Sequence, residues 1–490
     1  MTSLSPDHDP EPCSCLDRRR AGVVLHVTSL PGAGGMGADA RRFVDLLADC
    51  GLGVWQTLPV GPTHEDGSPY QSTSVHAGNA SFINAEELVA AGWLAPGQAV
   101  GGKGMLPRAW HGFQQQASEH ERVELDEFIR THGYWLEDYA LFKALRRANS
   151  WRPWWEWPAP LRDHDRQALE LHRRRLRTTL DELYFEQFVF FRQWRALKDY
   201  ANGRGVRLFG DMPIFVAHDS AEVWARRDWF ELDPQGAPTV VAGVPPDYFS
   251  ATGQRWGNPL YRWDRLKDDG FSFWVERLGT QLTLFDLVRI DHFRGFEAYW
   301  EIPAREPDAV NGRWIKAPGE ALFDTLRAAY RPLPVIAEDL GVITPEVEAL
   351  RDRYGLPGMK ILQFAFSGGS DNPYLPHNIP RNAVVYTGTH DNDTTLGWYE
   401  GLDEPTRDQV NEYLGFPGED MPWPMIRCAL ASRARLAMLP MQDMIALDSS
   451  HRMNLPGTTA GNWSWRFEWA QVPDDLVPRM RRMLELYGRL

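Results

Sequence analysis

Three short segments of the chain combine acids with a cation or a histidine at spacings that strand ends would turn toward one cleft. In LVRIDHF (287 to 293), Arg289 and Asp291 stand two apart. The period-two alternation of a strand sends both side chains to one face and leaves Val288 and Ile290 on the other. A guanidinium beside a carboxylate lowers its pKa and favours the ionised form, so the pair reads either as a nucleophile kept charged or as a buried ion pair bracing the fold. In VIAEDLG (335 to 341), Glu338 shares a face with Ile336, and the adjacent Asp339 points to the other side. A glutamate among apolar neighbours gains pKa by desolvation and holds a proton for general-acid work; a cap or loop role fits Asp339 better. In YTGTHDNDTT (386 to 395), His390, Asp391 and Asp393 cluster, and the alternative there is a turn held by Asx hydrogen bonds.

Two carboxylates of unlike environment, with a third acid and a histidine alongside, match retaining glycoside chemistry: one attacks the anomeric carbon while the other protonates the leaving oxygen. A metal site is the rival use of Asp211, Asp291, Glu338, His390 and Asp391. No HExxH or other tight ligand spacing occurs, and Arg289 disfavours a second cation, so neither metal nor cofactor is expected. Aromatic residues are the second clue, because indole and phenol faces stack on pyranose rings. Those flanked by Gly, Pro and polar residues are the ligand candidates: Tyr70 in GSPYQSTS, Tyr248 and Phe249 in GVPPDYFSATG, Trp256 in TGQRWGNP and Trp463 in GNWSW. Residues 241 to 259, with glycines at 243, 253 and 257, read as a lid loop or as an ordinary irregular connection. No phosphate-binding P-loop, GxSxG elbow or dinucleotide fingerprint is present.

Side chains that meet from separate strand ends need a scaffold that converges. Apolar runs short enough for buried parallel strands occur at 22–30, 54–60, 206–215, 287–293, 334–340, 359–366, 383–391 and 443–450. Helical patterns precede several of them; one covers 182–201, and another covers 345–355 with Thr344 as N-cap. Strand and helix in alternation imply a parallel sheet with right-handed crossovers, and eight strands imply closure into a (β/α)₈ TIM barrel, although a doubly wound sheet shares the local pattern. The barrel is expected over 21–490, after a loose tail at 1–20. Two stretches exceed ordinary βα loops: 61–181, read as a mainly helical subdomain, and 216–280, read as lid and subsite loops, both on the C-terminal face. The roughly 40 residues after 450 are too few for an added β-sandwich.

Composition narrows the classes further. The 490 residues carry a net charge of -14 with 43% apolar and 24% charged content, a globular balance that disfavours nucleic acid as partner. No apolar run of about 18 residues offers a membrane span, and residues 1–20 lack a signal-peptide centre, so a cytoplasmic location is expected. Four scattered cysteines (Cys13, Cys15, Cys50, Cys428) read as reduced thiols.

Taken in order, LHVTSLPG, WQTLPVGPT, SPYQSTS, GDMPIFVAHDSAEVW, VAGVPPDYFSATGQRWGNPLY, RIDHFRGFEAYWEIPA, AEDLG, LPGMKILQFAF, TGTHDNDTT, RMNLPGT and GNWSWR resemble glycoside hydrolase family 77, the amylomaltases or 4-α-glucanotransferases of the α-amylase clan. The likeness covers nearly everything after residue 20. It implies a barrel decorated by insertions and lacking the C-terminal β-sandwich usual in amylases. It also implies that Asp291 is the nucleophile, Glu338 the acid/base and Asp391 the transition-state stabiliser. Arg289 and His390 resemble the other residues around the sugar at the cleavage point, Asp211 falls where the clan keeps an aspartate after the third strand, and Tyr70, Asp247, Tyr248, Trp256 and Asp339 are expected on the glucan chain. The partners implied are α-1,4-glucans with glucose as an acceptor, handled by a monomer without nucleic acid or membrane. The rivals are a hydrolytic α-amylase or α-glucosidase, an idle glucan-binding module, and a barrel enzyme for sugar phosphates, which would want a glycine-rich loop after the last strands.

Overall fold

The computed structural model of the protein describes residues 16–32, 34–98, 104–246, 250–458 and 460–490. Asp247, Tyr248 and Phe249, like Cys13 and Cys15, lie outside the described residues. In chain order the strands are β1 (Arg20–Val24), β2 (Val54–Gln56), β3 (Arg207–Pro213), β4 (Val240–Val244), β5 (Gln254–Pro259), β6 (Leu287–Asp291), β7 (Ala298–Pro303), β8 (Arg313–Lys316), β9 (Val335–Ala337), β10 (Gly358–Ile361), β11 (Ala383–Tyr386) and β12 (Leu436–Pro440). Eight of them pair in parallel in the order β10, β11, β12, β1, β2, β3, β6, β9. The seam between β9 and β10 is bridged where the Ala337 N–H donates to the Pro357 carbonyl at 2.9 Å, and one step on the Met359 N–H donates to Asp339 Oδ1 at 2.6 Å. The sheet is thus the (β/α)₈ barrel expected from the eight runs.

Alternation along the strands sorts the apolar side chains into two layers. Val24, Phe209, Leu287, Ile336, Val384 and Leu436 belong to the cluster inside the barrel. Their strand neighbours, among them Val23, Leu208, Val288, Ile290, Val335 and Leu439, pack outward in the main core. The helix Arg177–Gly203 precedes β3 and the helix Ser272–Leu284 precedes β6. The chain approaches closely at Gly210, where a Cβ would lie 2.2 Å from the Phe285 ring. Phe285 caps the helix before β6, so that contact sets β3 down beside the turn leading into β6.

Seven of the eight expected runs overlap a barrel strand, and the eighth does not. Residues 443–450 begin inside the short helix Met441–Met444 and continue through a turn into the 3-10 helix Ser449–His451, whereas the strand is β12, Leu436–Pro440. Its segment LAMLP carries no β-branched residue, and the packing against β1 and β11 makes it a strand regardless of propensity. Residues 216–280, expected as lid and subsite loops, supply β4 and β5. These join β7 and β8 in a four-stranded antiparallel sheet of order β5, β4, β7, β8, so the excursion between β6 and β9 contributes two of its strands. Residues 61–181 hold helices, the longest being Glu119–Ala148, opened by a capping box between Ser118 and Glu121. Among the described residues no helix is long and apolar enough to cross a membrane.

Candidate active site

The register of the barrel assembles the acids. β3 and β6 pair with Asp211 beside Arg289 and Pro213 beside Asp291, and all the interior positions of β6 continue the face begun by Leu287. The Arg289 guanidinium forks: Nη1 donates to Asp211 Oδ2 at 2.6 Å and Nη2 to Asp291 Oδ1 at 2.6 Å. Two charge-assisted bonds from one planar group fix both carboxylates in direction as well as distance. Asp211 also accepts from the Tyr70 hydroxyl at 2.7 Å. Arg289 and Asp211 are buried, while Asp291 keeps 30% of its side-chain surface open.

Glu338 enters from β9. Its N–H donates to the Ile290 carbonyl at 3.0 Å, continuing the ladder. Its carboxylate accepts from the backbone N–H of His292 at 2.6 Å and of Leu340 at 3.0 Å. The His292 bond depends on a left-handed backbone (φ 55°) immediately after Asp291, a conformation a residue with a Cβ adopts at some cost. The turn that ends β6 is therefore what ties the two acids together.

Charge is shared unequally between them. Burial and then the neighbouring Asp291 push Glu338 up to about 8, against the pull of Arg289 and the two backbone donors. Asp291 does not follow the expectation of a pKa held down by its cation. Burial raises it above the ordinary aspartate range, with Asp211 and Asp391 adding to the rise and Arg289 and His390 opposing it. One guanidinium divided between two carboxylates does not cancel dehydration plus two further acids. Within the pair the proton at neutral pH belongs on Glu338, because Arg289 touches Asp291. Burial works against the charge on Arg289 too, but Asp211 and Asp291 outweigh it and hold it firmly protonated.

The loop after β11 brings the third acid. His390 stacks on Tyr70 with ring centres 5.2 Å apart at 16°, and the Trp463 ring centre lies 6.0 Å from each. Asp391 Oδ1 accepts from Asn454 Nδ2 at 2.6 Å, its Oδ2 lies 3.3 Å from His390 Nε2, and its carbonyl accepts from Arg452 Nη2 at 3.0 Å. Asp391 remains exposed. Asp393 is instead held by the Ser449 hydroxyl at 2.8 Å and lies 3.6 Å from Arg452. Trp256 is half-buried and meets His292 edge to face at 4.8 Å.

Asp339, expected on the glucan chain, is not brought to this cleft. Beside its bond to Met359 it pairs with Arg351 at 2.5 Å, and its side chain is 1% exposed; it closes the barrel seam. Sequence reasoning also missed several residues. Gln56 and Tyr386, bonded at 2.9 Å inside the barrel, were reachable by extending strand alternation to β2 and β11. Asp443 accepts from the hydroxyls of Thr387 and Thr395 at 2.6 Å each and from the Thr395 N–H at 2.8 Å, clamping both ends of the loop that carries His390 and Asp391. It lies inside residues 443–450, whose apolar pattern predicts a strand where the chain forms short helices and a turn. Among the described residues no group of three or more His, Cys, Asp or Glu is disposed to hold a metal ion.

Comparison with known proteins agrees with this geometry. The family model of glycoside hydrolase family 77, described as 4-alpha-glucanotransferase, matches residues 25–471. The chain belongs to glycoside hydrolase family 77. A 4-alpha-glucanotransferase of Thermus thermophilus is 52% identical over 96% of this chain and 99% of its own length. One of Synechocystis is 47% identical over 97% and 99%. The amylomaltase of Streptococcus agalactiae, solved in complex with acarbose, superposes with a TM-score of 0.93 at 34% identity, over 96% of this chain and all of that one. As a family 77 member the chain is a 4-α-glucanotransferase, an enzyme acting on α-1,4-glucans.

Proposed function

We propose that transfer proceeds by double displacement at Asp291, Glu338 and Asp391. Protonated Glu338 donates to the oxygen of an α-1,4 bond as the Asp291 carboxylate attacks the anomeric carbon; the reducing-end segment leaves, and a β-linked glycosyl ester remains on Asp291. The 4-hydroxyl of a second glucan, or of glucose, then gives its proton to Glu338 while its oxygen displaces Asp291, restoring the α configuration. Arg289 positions the attacking carboxylate. Asp391, exposed and aimed by Asn454, accepts from hydroxyls of the distorted sugar, and Tyr70, His390 and Trp256 offer faces to the rings. Asp247 and Tyr248 are retained as contacts of the glucan chain on the family likeness alone. The observation that carries this reading is the unequal treatment of the two acids, with one gripped by a guanidinium at 2.6 Å and the other raised to about 8.

A donor that needs no acid separates the roles. Fluoride leaves without protonation, so Glu338→Gln is expected to lose about 10²- to 10⁴-fold on maltotriose yet to form a covalent adduct with α-maltosyl fluoride, seen as one maltosyl unit of added mass at Asp291. Asp291→Asn should form none. An adduct in Asp291→Asn, or near-normal maltotriose turnover by Glu338→Gln, would refute the assignment. The wild type should convert maltotriose to glucose and longer chains at constant total reducing ends; a steady rise in reducing ends would favour hydrolysis.

A further inference from the structure

The barrel has a second concavity, at the end opposite the acids, with a volume of about 890 Å³. Its walls come from the starts of strands: Leu287 opens β6, Val335 opens β9, Pro357 precedes β10, Arg381 precedes β11 and Arg435 precedes β12. The volume lies within the range of small-molecule sites, roughly 300 to 1,000 Å³. Five arginines line it, Arg327, Arg331, Arg351, Arg381 and Arg435, against a single acid, Asp352. In a chain of net charge -14, such a concentration of one sign is a local feature that favours an anion.

Two of the five already have partners. Arg351 is committed to Asp339 at 2.5 Å and Asp352 at 2.8 Å. Arg327 lies 3.7 Å from Asp324 and over the Tyr354 ring at 5.1 Å. Arg331, Arg381 and Arg435 have no carboxylate within 4.0 Å among the described residues. The contacts seen for Arg331 and Arg435 are to carbonyls: Arg331 Nε donates to Arg327 O at 3.1 Å and Arg435 Nη1 to Leu16 O at 2.9 Å, and Arg435 Nε is buried with no partner among the described residues. Three guanidinium groups from three separate chain segments thus converge on one cleft with unspent donors, over an apolar floor that includes Leu287, Leu333 and Val335.

We propose that this cleft binds a small phosphate ester, with Arg331, Arg381 and Arg435 taking the phosphate and the apolar floor taking the body of the molecule. Forked guanidinium donors match the oxygens of a phosphate dianion, which accepts from several at once where a carboxylate offers two oxygens. The floor adds contact that a bare inorganic ion does not use. A sugar phosphate and a nucleotide share this chemistry. The site is independent of glucan transfer, since the acids stand at the far end of the barrel strands.

Isothermal titration at fixed ionic strength tests it, using glucose 6-phosphate, AMP and inorganic phosphate as probes against the wild type and the double variant Arg331→Ser/Arg381→Ser. Both residues are exposed, so the variant is expected to fold and to transfer maltotriose at the wild-type rate. Saturable one-to-one binding of at least one ester, tighter than inorganic phosphate and weakened about tenfold or more in the variant, is expected from the loss of charge-assisted bonds. Tighter binding of glucose 6-phosphate identifies a sugar phosphate and tighter binding of AMP a nucleotide. No saturable binding, equal binding of inorganic phosphate and the esters, or binding untouched by the double substitution would overturn the proposal.

Discussion

Replacing Arg289 by Met keeps an unbranched stem of similar bulk and removes the guanidinium charge that joins Asp211 to Asp291. Two bonds of 2.6 Å are lost, each to a charged acceptor and worth roughly 1.5–3 kcal/mol. If both act on the placement and ionisation of Asp291, the loss of about 3–6 kcal/mol corresponds to a fall in kcat/KM of about 10²- to 10⁴-fold. Stability should fall as well, because removing one partner of a buried ion pair strands the other, at a cost of about 3–5 kcal/mol. The pH dependence identifies the cause. Without the cation, Asp291, already raised by burial, has a folded-state pKa further above its unfolded one, so the folded variant binds a proton more readily than the unfolded chain. The penalty is then greatest above the folded pKa of Asp291 and shrinks as pH falls toward its unfolded one. Initial rates of glucose release from maltotriose, with thermal melts from pH 4 to 9, measure both. A variant within tenfold of wild-type kcat/KM, or a stability loss that grows on acidification, would refute the reasoning; Arg289→Lys, which keeps a charge and loses the fork, should fall between.

Transfer from maltotriose should decline as pH rises through about 8, since Glu338 must hold a proton to act as acid; adduct formation from α-maltosyl fluoride should lack that limb, and a limb common to both donors would place the titration elsewhere. Asp443→Ala removes the acceptor of three hydrogen bonds, so the loop bearing His390 and Asp391 should loosen; a lower Tm together with a lower kcat is expected, and an unchanged kcat would deny that the clamp positions the loop. Gly210→Ala forces a Cβ to within 2.2 Å of the Phe285 ring. Urea denaturation should show a loss of about 1–3 kcal/mol from overpacking, and unchanged stability would mean that the helix before β6 yields.

How far the site could be read from the chain differs from residue to residue. Arg289 and Asp291 are two apart on one strand, and alternation alone puts them on one face. Adjacency likewise sends Asp339 away from Glu338, and the structure finds it at the seam, bonded to Met359 and Arg351; the glucan contact expected of it came from the family likeness alone. β12 escaped because LAMLP has no β-branched residue while the neighbouring DMIALDSS has a suitable apolar core. Pairing with β1 and β11 decided the matter, and Pro440 then leads into the helix Met441–Met444. The antiparallel sheet was not legible either, since β7 and β8 lie in a segment whose length did not single it out.

What the sequence determined by itself is what local rules decide: parallel strands alternating with helices, from the apolar runs and the helical patterns between them; which side chains share a face, from the two-residue period; and the kinds of acid available at strand ends. Tertiary structure decided everything that depends on distance across the chain. Tyr70 reaches Asp211 over 141 positions, Arg289 reaches Asp211 over 78, and the N–H of His292 reaches Glu338 over 46. The pKa order of the two acids belongs to that second class, because dehydration and like-charge repulsion depend on which groups a closed barrel holds together. Residue types announce a carboxylate, and only the fold around it sets which of two carboxylates keeps the proton.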